Sequence, residues 1–304
     1  MKRELHRRAS ALLLVLWAVA ILSAAVLSVV GLVTFSQDET VGRERAFRAL
    51  RFAESGVELA RHPDIDPSDP LLDHVSASGE GWRVRVGTEE GRLGINAALL
   101  GGQSRLVLAL FLEWGVPLED AQTAVDSLQD WITPGDLARL NGAKRDYYTA
   151  LGHPDFPPGR PFSSVKEMAL VRGMDAVAAR KPDWQDYFTA WGDGLIDVNE
   201  ASADVLEAVC GIDAPQAESV LRKRMGPDGL PHTADDQPFK TLEEFRAVAG
   251  ISSDRFKNLA SLLTVRGEVL RIESTGFEGQ NRRTIVAILQ RNVRPAKYLA
   301  WIEE

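Results

Sequence analysis

The sequence is poor in the residues that carry most enzyme chemistry. Among its 304 residues there is one cysteine, Cys210, and none of the five histidines lies in an H-x-x-x-H or H-E-x-x-H spacing. One cysteine excludes an internal disulfide, and the apolar residues around Cys210 predict a buried side chain rather than a reactive thiol. P-loop, nucleophile-elbow and dinucleotide-binding motifs are missing as well. We therefore expect a protein that is not an enzyme.

The chain lacks a net positive charge outside its first residues, which precede the apolar run. Acidic residues outnumber basic ones by 43 to 35, and the net charge is −8. Lys2, Arg3, Arg7 and Arg8 all precede the first apolar run, so the remainder of the chain is more acidic still. A strongly acidic surface repels phosphates and anionic lipids. The composition therefore argues against binding to nucleic acid.

The N-terminal region lacks both charge and proline. No charged residue occurs between Arg8 and Asp38, and the first proline is Pro63. Residues 11–35 are long enough to cross a bilayer as a helix, which takes about 20 apolar residues, and too long for the apolar core of a cleaved signal peptide. The basic residues before this run place the N terminus in the cytoplasm and the bulk of the chain outside.

A helical pattern continues beyond the apolar run. Ala46, Leu50, Ala53, Val57 and Ala60 form one stripe at three- and four-residue spacing, and the proline-rich residues 63–70 end it. The sequence therefore predicts one continuous helix of about 50 residues. A single-span anchor followed by a separate juxtamembrane helix is the alternative.

Two segments have the alternating pattern of strands, one starting at Trp82 and the other covering residues 268–292. The residues between them, about 96–264, have a helical pattern. The sequence thus predicts an α+β fold, in which a long N-terminal helix packs on a small antiparallel sheet. A large α-helical insertion separates the strands.

The predicted insertion contains an internal repeat. Residues 161–174, PFSSVKEMALVRGM, match residues 238–251, PFKTLEEFRAVAGI, without a gap. Gly173 and Gly250 stand where a helix is expected to end. This pattern favours two similar helical units that share one core, and it gives little support to a catalytic role.

Residues 195–224 resemble a helix-hairpin-helix unit, a motif that binds duplex phosphates through the amides of a glycine hairpin. Asp213 stands in place of the second glycine and brings a negative charge to the hairpin. Since phosphate binding needs positive charge, we interpret the unit as a packing or protein-contact module. A membrane-tethered nucleic-acid-binding protein of a DNA-uptake or type IV pilus system is the alternative.

The start of the chain resembles the start of type IV pilins and type II secretion pseudopilins. The resemblance rests on a short basic leader, a small residue, an uncharged helix and the continuation AFRALRFAESGVELAR. It implies cleavage by prepilin peptidase after Ala9, and Ser10 as the methylated mature N terminus. Ala9 replaces the usual glycine, and Leu14 replaces the glutamate that most pilins carry.

Leu14 relates the chain to one branch of this superfamily. In a filament, the glutamate is thought to pair with the amine of the subunit above, so a subunit at the tip has no use for it. An apolar residue there, together with ALLLVLW and the helical insertion, resembles the K-type minor pseudopilins, the GspK family. The resemblance covers nearly the whole chain.

The K-type resemblance implies a function, partners and a domain division. The protein would lie at the pseudopilus tip, initiate assembly with the I- and J-type minor pseudopilins and the H-type pseudopilin, and serve protein export across the outer membrane. It would cross the inner membrane once, with its bulk in the periplasm. The expected division is a leader (1–9), a transmembrane helix (10–37), the helix continuation and first strands (38–95), the insertion (96–264), and C-terminal strands with a tail (265–304).

The family also associates calcium with the helical domain, and two acidic loops are candidates. Residues 226–239 collect Asp228, Thr233, Asp235 and Asp236 in a Gly/Pro-rich loop. His232 is interpreted as an exposed turn histidine, with a further metal ligand as the alternative. A solvated acidic loop without metal is the alternative.

The second candidate loop follows Asp130. It reads DWITPGDLARLNGAKRDYY and resembles an acidic pattern of the family through Asp130, Asp136 and Asp146. Thr133 and Lys144 replace acids of that pattern, and the charge of Lys144 would oppose a bound cation.

Overall fold

The chain begins with one long helix. In the computed structural model, α1 (Lys2–Ala60) is continuous over 59 residues, so the two-helix alternative is wrong. The structure describes residues 2–62, 64–291, 293 and 296–304, and it gives the side chains of α1 at residues 16–19, 21–28 and from 41 onward. Counting only those described residues, no helix has an apolar stretch of the length needed to span a membrane.

An antiparallel sheet packs against the second half of α1. The strands of the described residues are β1 (Asp73–Val75), β2 (Glu80–Thr88), β3 (Leu93–Gly94), β4 (Phe188–Thr189), β5 (Ile196–Asp197), β6 (Leu263–Thr264), β7 (Val269–Glu278), β8 (Asn281–Gln290) and β9 (Lys297–Glu303). Five of them form the sheet, in the order β1-β2-β7-β8-β9. The α+β fold class predicted from the sequence is confirmed. The last strand, β9, lies in the segment expected to be a tail.

Two glycines allow α1 to lie directly on the sheet. A Cβ at Gly276 in β7 would overlap the carbonyl oxygen of Ala49, and a Cβ at Gly56 would overlap the hydroxyl of Ser274. Ala49 and Ala53 are fully buried here, whereas Ala46 is only half-buried. The predicted stripe is thus most deeply buried from Ala53 onward, because the close contact between helix and sheet begins at Ala49.

These contacts also give the direction of the sheet relative to α1. Gly276 lies beside Ala49, and Ser274 lies beside Gly56, so β7 runs antiparallel to the helix. Thr88, at the end of β2, pairs with Leu270 near the start of β7. The chain therefore leaves and re-enters the sheet at the end nearest the C terminus of α1, far from the apolar N-terminal segment.

The helical insertion lies between β2 and β7. Its α-helices are α2 (Ile95–Leu100), α3 (Ser104–Glu113), α4 (Leu118–Ile132), α5 (Arg145–Ala150), α6 (Met174–Arg180), α7 (Ala203–Cys210), α8 (Ala214–Arg224), α9 (Leu242–Val248) and α10 (Ser253–Leu259). Short 3-10 helices cover Pro70–Leu72, Glu89–Gly91, Val165–Leu170, Trp184–Tyr187 and Ala260–Leu262. One hydrophobic core contains side chains from the whole insertion.

The internal repeat corresponds to two units of the same design. In the first, the amide of Asn96 donates to the carbonyl of Phe162 at 2.9 Å and accepts from its N–H at 2.8 Å. In the second, Asn199 makes the same pair of bonds to Phe239, at 3.0 and 2.7 Å. Each unit is also closed by a two-residue parallel strand pair, β3 with β4 and β5 with β6. The two predicted units thus make matching hydrogen bonds and contribute side chains to one core.

The glycine contact predicts how α1 is attached. Replacing Gly276 with Ala forces the helix away from β7, so we expect the free energy of unfolding to fall by about 2–3 kcal/mol. Gly42 has no atom within 4 Å of a built Cβ, and G42A should leave stability unchanged or raise it slightly. Thermal unfolding of both variants, in detergent, checks this. Equal stability of the two variants would contradict the packing argument.

Candidate functional site

Buried carboxylates hold the junction between the sheet and the insertion. Glu90, just after β2, accepts hydrogen bonds from the N–H groups of Glu268 at 2.9 Å and Val269 at 3.0 Å, where β7 begins. Glu89 accepts from Arg271 of β7 at 3.1 Å and from Thr189 of the insertion. These hydrogen bonds join the segment that leaves the sheet after β2 to the segment that re-enters it at β7.

Asp197, at the end of β5, is a third buried carboxylate that links the same two segments. Its Oδ2 accepts from the Thr88 hydroxyl at 3.1 Å and from the N–H of Gly267 at 2.8 Å. Burial raises the pKa of Asp197 and of Glu90, while the hydrogen bonds from backbone N–H groups oppose that rise. Because donors surround these carboxylates on both sides of the junction, the insertion keeps a fixed orientation on the sheet.

Glu200 lies in the same region, on the wall of a cleft of about 630 Å³. Its Oε2 is 3.8 Å from Nε2 of His232. Burial, and then the nearby Asp197 carboxylate, raise the pKa of Glu200 to about 8. Burial lowers the pKa of His232 in turn. Glu200 therefore stays largely protonated at neutral pH.

The first predicted calcium loop brings its residues together. The hydroxyl of Thr233 donates to Asp235 at 2.8 Å, the N–H of Asp228 donates to Asp235 at 3.0 Å, and the N–H of His232 donates to Asp236 at 2.8 Å. Oxygen atoms are the ligands that calcium prefers, so the donor set suits the ion. Across the described part of the chain, however, no three His, Cys, Asp or Glu side chains are arranged to hold a metal. Calcium in this loop stays a prediction.

The second predicted calcium loop does not suit a metal ion. Asp130 is fully buried, and Arg139 Nη1 lies 2.6 Å from its carboxylate. Asp136 is exposed near Arg145, and Asp146 lies exposed in the first turn of α5. The ammonium of Lys144 donates to the carbonyl oxygens of Asp130, at 2.7 Å, and Thr133. The structure thus gives no support to a metal site at Asp130, Asp136 and Asp146.

In the helix-hairpin-helix unit, the backbone N–H groups of Asp213 and Gln216 already donate hydrogen bonds within the protein. The Asp213 carboxylate accepts from the N–H of Gln216 at 2.9 Å, and the Gln216 side chain accepts from the N–H of Asp213 at 3.0 Å. A phosphate would therefore meet a carboxylate at the start of α8. Arg255 donates to the carbonyl of Cys210, at the end of α7, at 2.7 Å. Cys210 is buried as predicted, and burial raises the pKa of its thiol to about 12.

An exposed apolar face on α1 was not predicted. Phe47 is 62% exposed, and a cavity of about 380 Å³ lies between it and the end of β9, beside Leu50, Arg283 and Glu303. The end of β9 forms one wall of this cavity. The alternating pattern YLAWI of residues 298–302 could have predicted that strand from the sequence. The proposed processing residues Ala9 and Ser10, and Leu14, lie outside the described side chains.

The comparisons with known proteins agree with this architecture. Residues 92–182 match the family model of type II secretion system (T2SS), protein K. A chain of the crystal structure of the GspK-GspI-GspJ complex from the enterotoxigenic Escherichia coli type 2 secretion system has a similar fold, with a TM-score of 0.64. The two chains are 17% identical, and the match covers 88% of this chain and 99% of that chain. No curated protein matches the sequence.

Glu200 predicts a pH dependence of stability. Its pKa in the folded state, about 8, lies above the ordinary value of 4.5. Between these two pH values the unfolded chain loses the proton while the folded chain keeps it, so stability falls as the pH rises. Over this pH range we expect the free energy of unfolding of E200Q to fall by about 2–3 kcal/mol less than that of the parent chain. Denaturant unfolding at pH 5 to 8 measures it.

The control is E218Q, which alters a glutamate on the exposed side of α8. It should keep the pH slope of the parent chain. A parent-like slope in E200Q as well would show that Glu200 ionises normally.

Proposed function

We propose that this K-type minor pseudopilin of type II secretion occupies the tip of the pseudopilus, where it helps to start assembly and takes part in protein export across the outer membrane. The observation that carries the tip position is the place of the insertion. It leaves the sheet after Thr88 and returns at Val269, at the end of the molecule beyond the C terminus of α1.

A filament of parallel subunits needs that end to be free. Each subunit above another would have to pack over the C-terminal end of the helix below it. In this chain the junction carboxylates Glu89, Glu90 and Asp197 hold a helical domain there in one orientation. The insertion would therefore block further stacking, and the chain would fit only at the top. Leu14 agrees with this position, since a tip subunit has no amine above it to pair with an acid.

The proposed partners follow from the solved complex, in which GspK is bound to GspI and GspJ. We expect this chain to bind the I- and J-type minor pseudopilins, with the H-type pseudopilin below them. Phe47, exposed on α1, suits a bundle of parallel helices, because an apolar side chain packs there without losing hydrogen bonds.

Processing and location complete the proposal. Prepilin peptidase would cut after Ala9, Ser10 would be methylated, and residues 10–37 would anchor the precursor in the inner membrane with its bulk in the periplasm. Calcium would bind in residues 226–239. We propose no enzymatic activity. We also propose no nucleic-acid binding, since the hairpin N–H groups of Asp213 and Gln216 already donate to acceptors within the protein.

The helix face gives the first test. We expect F47E to reduce co-purification with the I- and J-type partners at least about tenfold, because a carboxylate would be buried in an apolar interface. L137E is the matched control, since Leu137 is also highly exposed but lies in the helical insertion. Quantitative pull-down of the full chains measures both. Loss of partners in L137E alone would contradict a bundle through α1.

The tip position has a separate test. A tag inserted after Gly102, where the chain faces open space, should be found at one end of isolated pseudopili by immunogold microscopy. A chain lacking residues 89–268 is unsuitable for this test, because the deletion removes Glu89 and Glu90, which accept hydrogen bonds from the start of β7. Label spaced regularly along the shaft would overturn the tip proposal and leave the family assignment intact.

A further inference from the structure

Lys144 carries a positive charge into the interior of the first helical unit. It lies just before α5 and is only 5% exposed. Its ammonium donates to the carbonyl oxygen of Asp130 at 2.7 Å and to that of Thr133. Both carbonyls belong to the last turn and cap of α4, where a helix leaves acceptors unpaired and a cation is favourable.

Residues 139–142 pack closely against the side chain of Asp130, beside the same helix end. The Asp130 carboxylate accepts from the N–H of Arg139 at 3.0 Å and from its guanidinium at 2.6 Å. A Cβ at Gly142 would overlap Oδ2 of Asp130, so the loop reaches the carboxylate only through a glycine. The Asp130 carboxylate and the carbonyl oxygens of Asp130 and Thr133 therefore all accept hydrogen bonds from the protein itself.

A divalent cation and the ammonium would compete for one place. Calcium binds oxygens at about 2.3–2.6 Å and needs six to eight of them. An ion on the Asp130 and Thr133 carbonyls would lie within about 4 Å of the Lys144 nitrogen, where like charges repel strongly. The family's acidic pattern has an acid where this chain has Lys144. The substitution therefore changes a position that would attract the ion into one that supplies a positive charge.

We propose that the ammonium of Lys144 takes the structural place of a metal ion, so that residues 130–146 are held together by the chain's own cation and bind no calcium. The second acidic loop is built differently. There, Thr233 and backbone N–H groups supply the hydrogen bonds to the carboxylates of Asp235 and Asp236. Any calcium dependence of the protein would then come from residues 226–239. The inference does not depend on the tip position.

The experiment uses the full-length chain in detergent, with D235N and D236N in every variant to disable the other loop. Terbium serves as the calcium probe, because Trp131, next to Asp130 and buried, would excite it at this site. With Lys144 present we expect no saturable terbium luminescence. K144E should bind terbium, lose the signal on adding calcium, and melt about 5 °C lower in chelator than in calcium.

K257E is the matched control, since Lys257 is 74% exposed on α10. It should show neither terbium binding nor a calcium-dependent melting temperature. Saturable terbium luminescence with Lys144 intact would overturn the proposal, and so would a K144E variant as indifferent to calcium as K257E.

A further variant covers the case in which K144E does not fold. K144M keeps most of the aliphatic stem and removes the charge, so it should melt several degrees below the parent chain in chelator. A K144M variant as stable as the parent would show that the ammonium does not hold the loop, and the proposal would fail.

Discussion

The structure depends on three buried carboxylates at the junction of sheet and insertion. Glu89, Glu90 and Asp197 come from the ends of short strands or from the turn after β2, and they accept from the backbone and side chains of the returning segment. Burying a carboxylate is costly unless its oxygens find donors, and each of these three carboxylates has donors from the protein. The arrangement fixes where a domain of nearly 180 residues stands relative to α1, and the proposed place in the filament follows from that position.

The same principle recurs with the opposite charge. Lys144 is buried against carbonyl oxygens at the end of α4, much as Glu90 is buried against N–H groups at the start of β7. In both cases a buried side chain forms hydrogen bonds with backbone groups that the helix or strand leaves unpaired. The protein therefore uses buried charge to position segments that are distant in sequence.

The two helical units share one arrangement of hydrogen bonds to the backbone but differ in how their acidic loops are held. Asn96 and Asn199 bind the backbone of Phe162 and Phe239 in the same way, and an acidic loop follows α4 in one unit and α8 in the other. One loop is closed by a lysine, whereas the other is closed by Thr233 and backbone N–H groups. Equivalent loops can thus be stabilised by different chemistry without disturbing the shared core.

Local and periodic signals determined much of this protein from the sequence alone: α1, the α+β class, β7 and β8, and the internal repeat. These features depend on residues a few positions apart or on a repeated pattern. Only the tertiary structure decided the rest. The insertion begins before residue 96, because Leu93 pairs with Phe188. The tail contains β9, because β8 offers it an edge. The acidic loop after Asp130 does not suit a metal, because Arg139 and Lys144 fold back onto it. Each outcome rests on a contact that the folded chain alone creates.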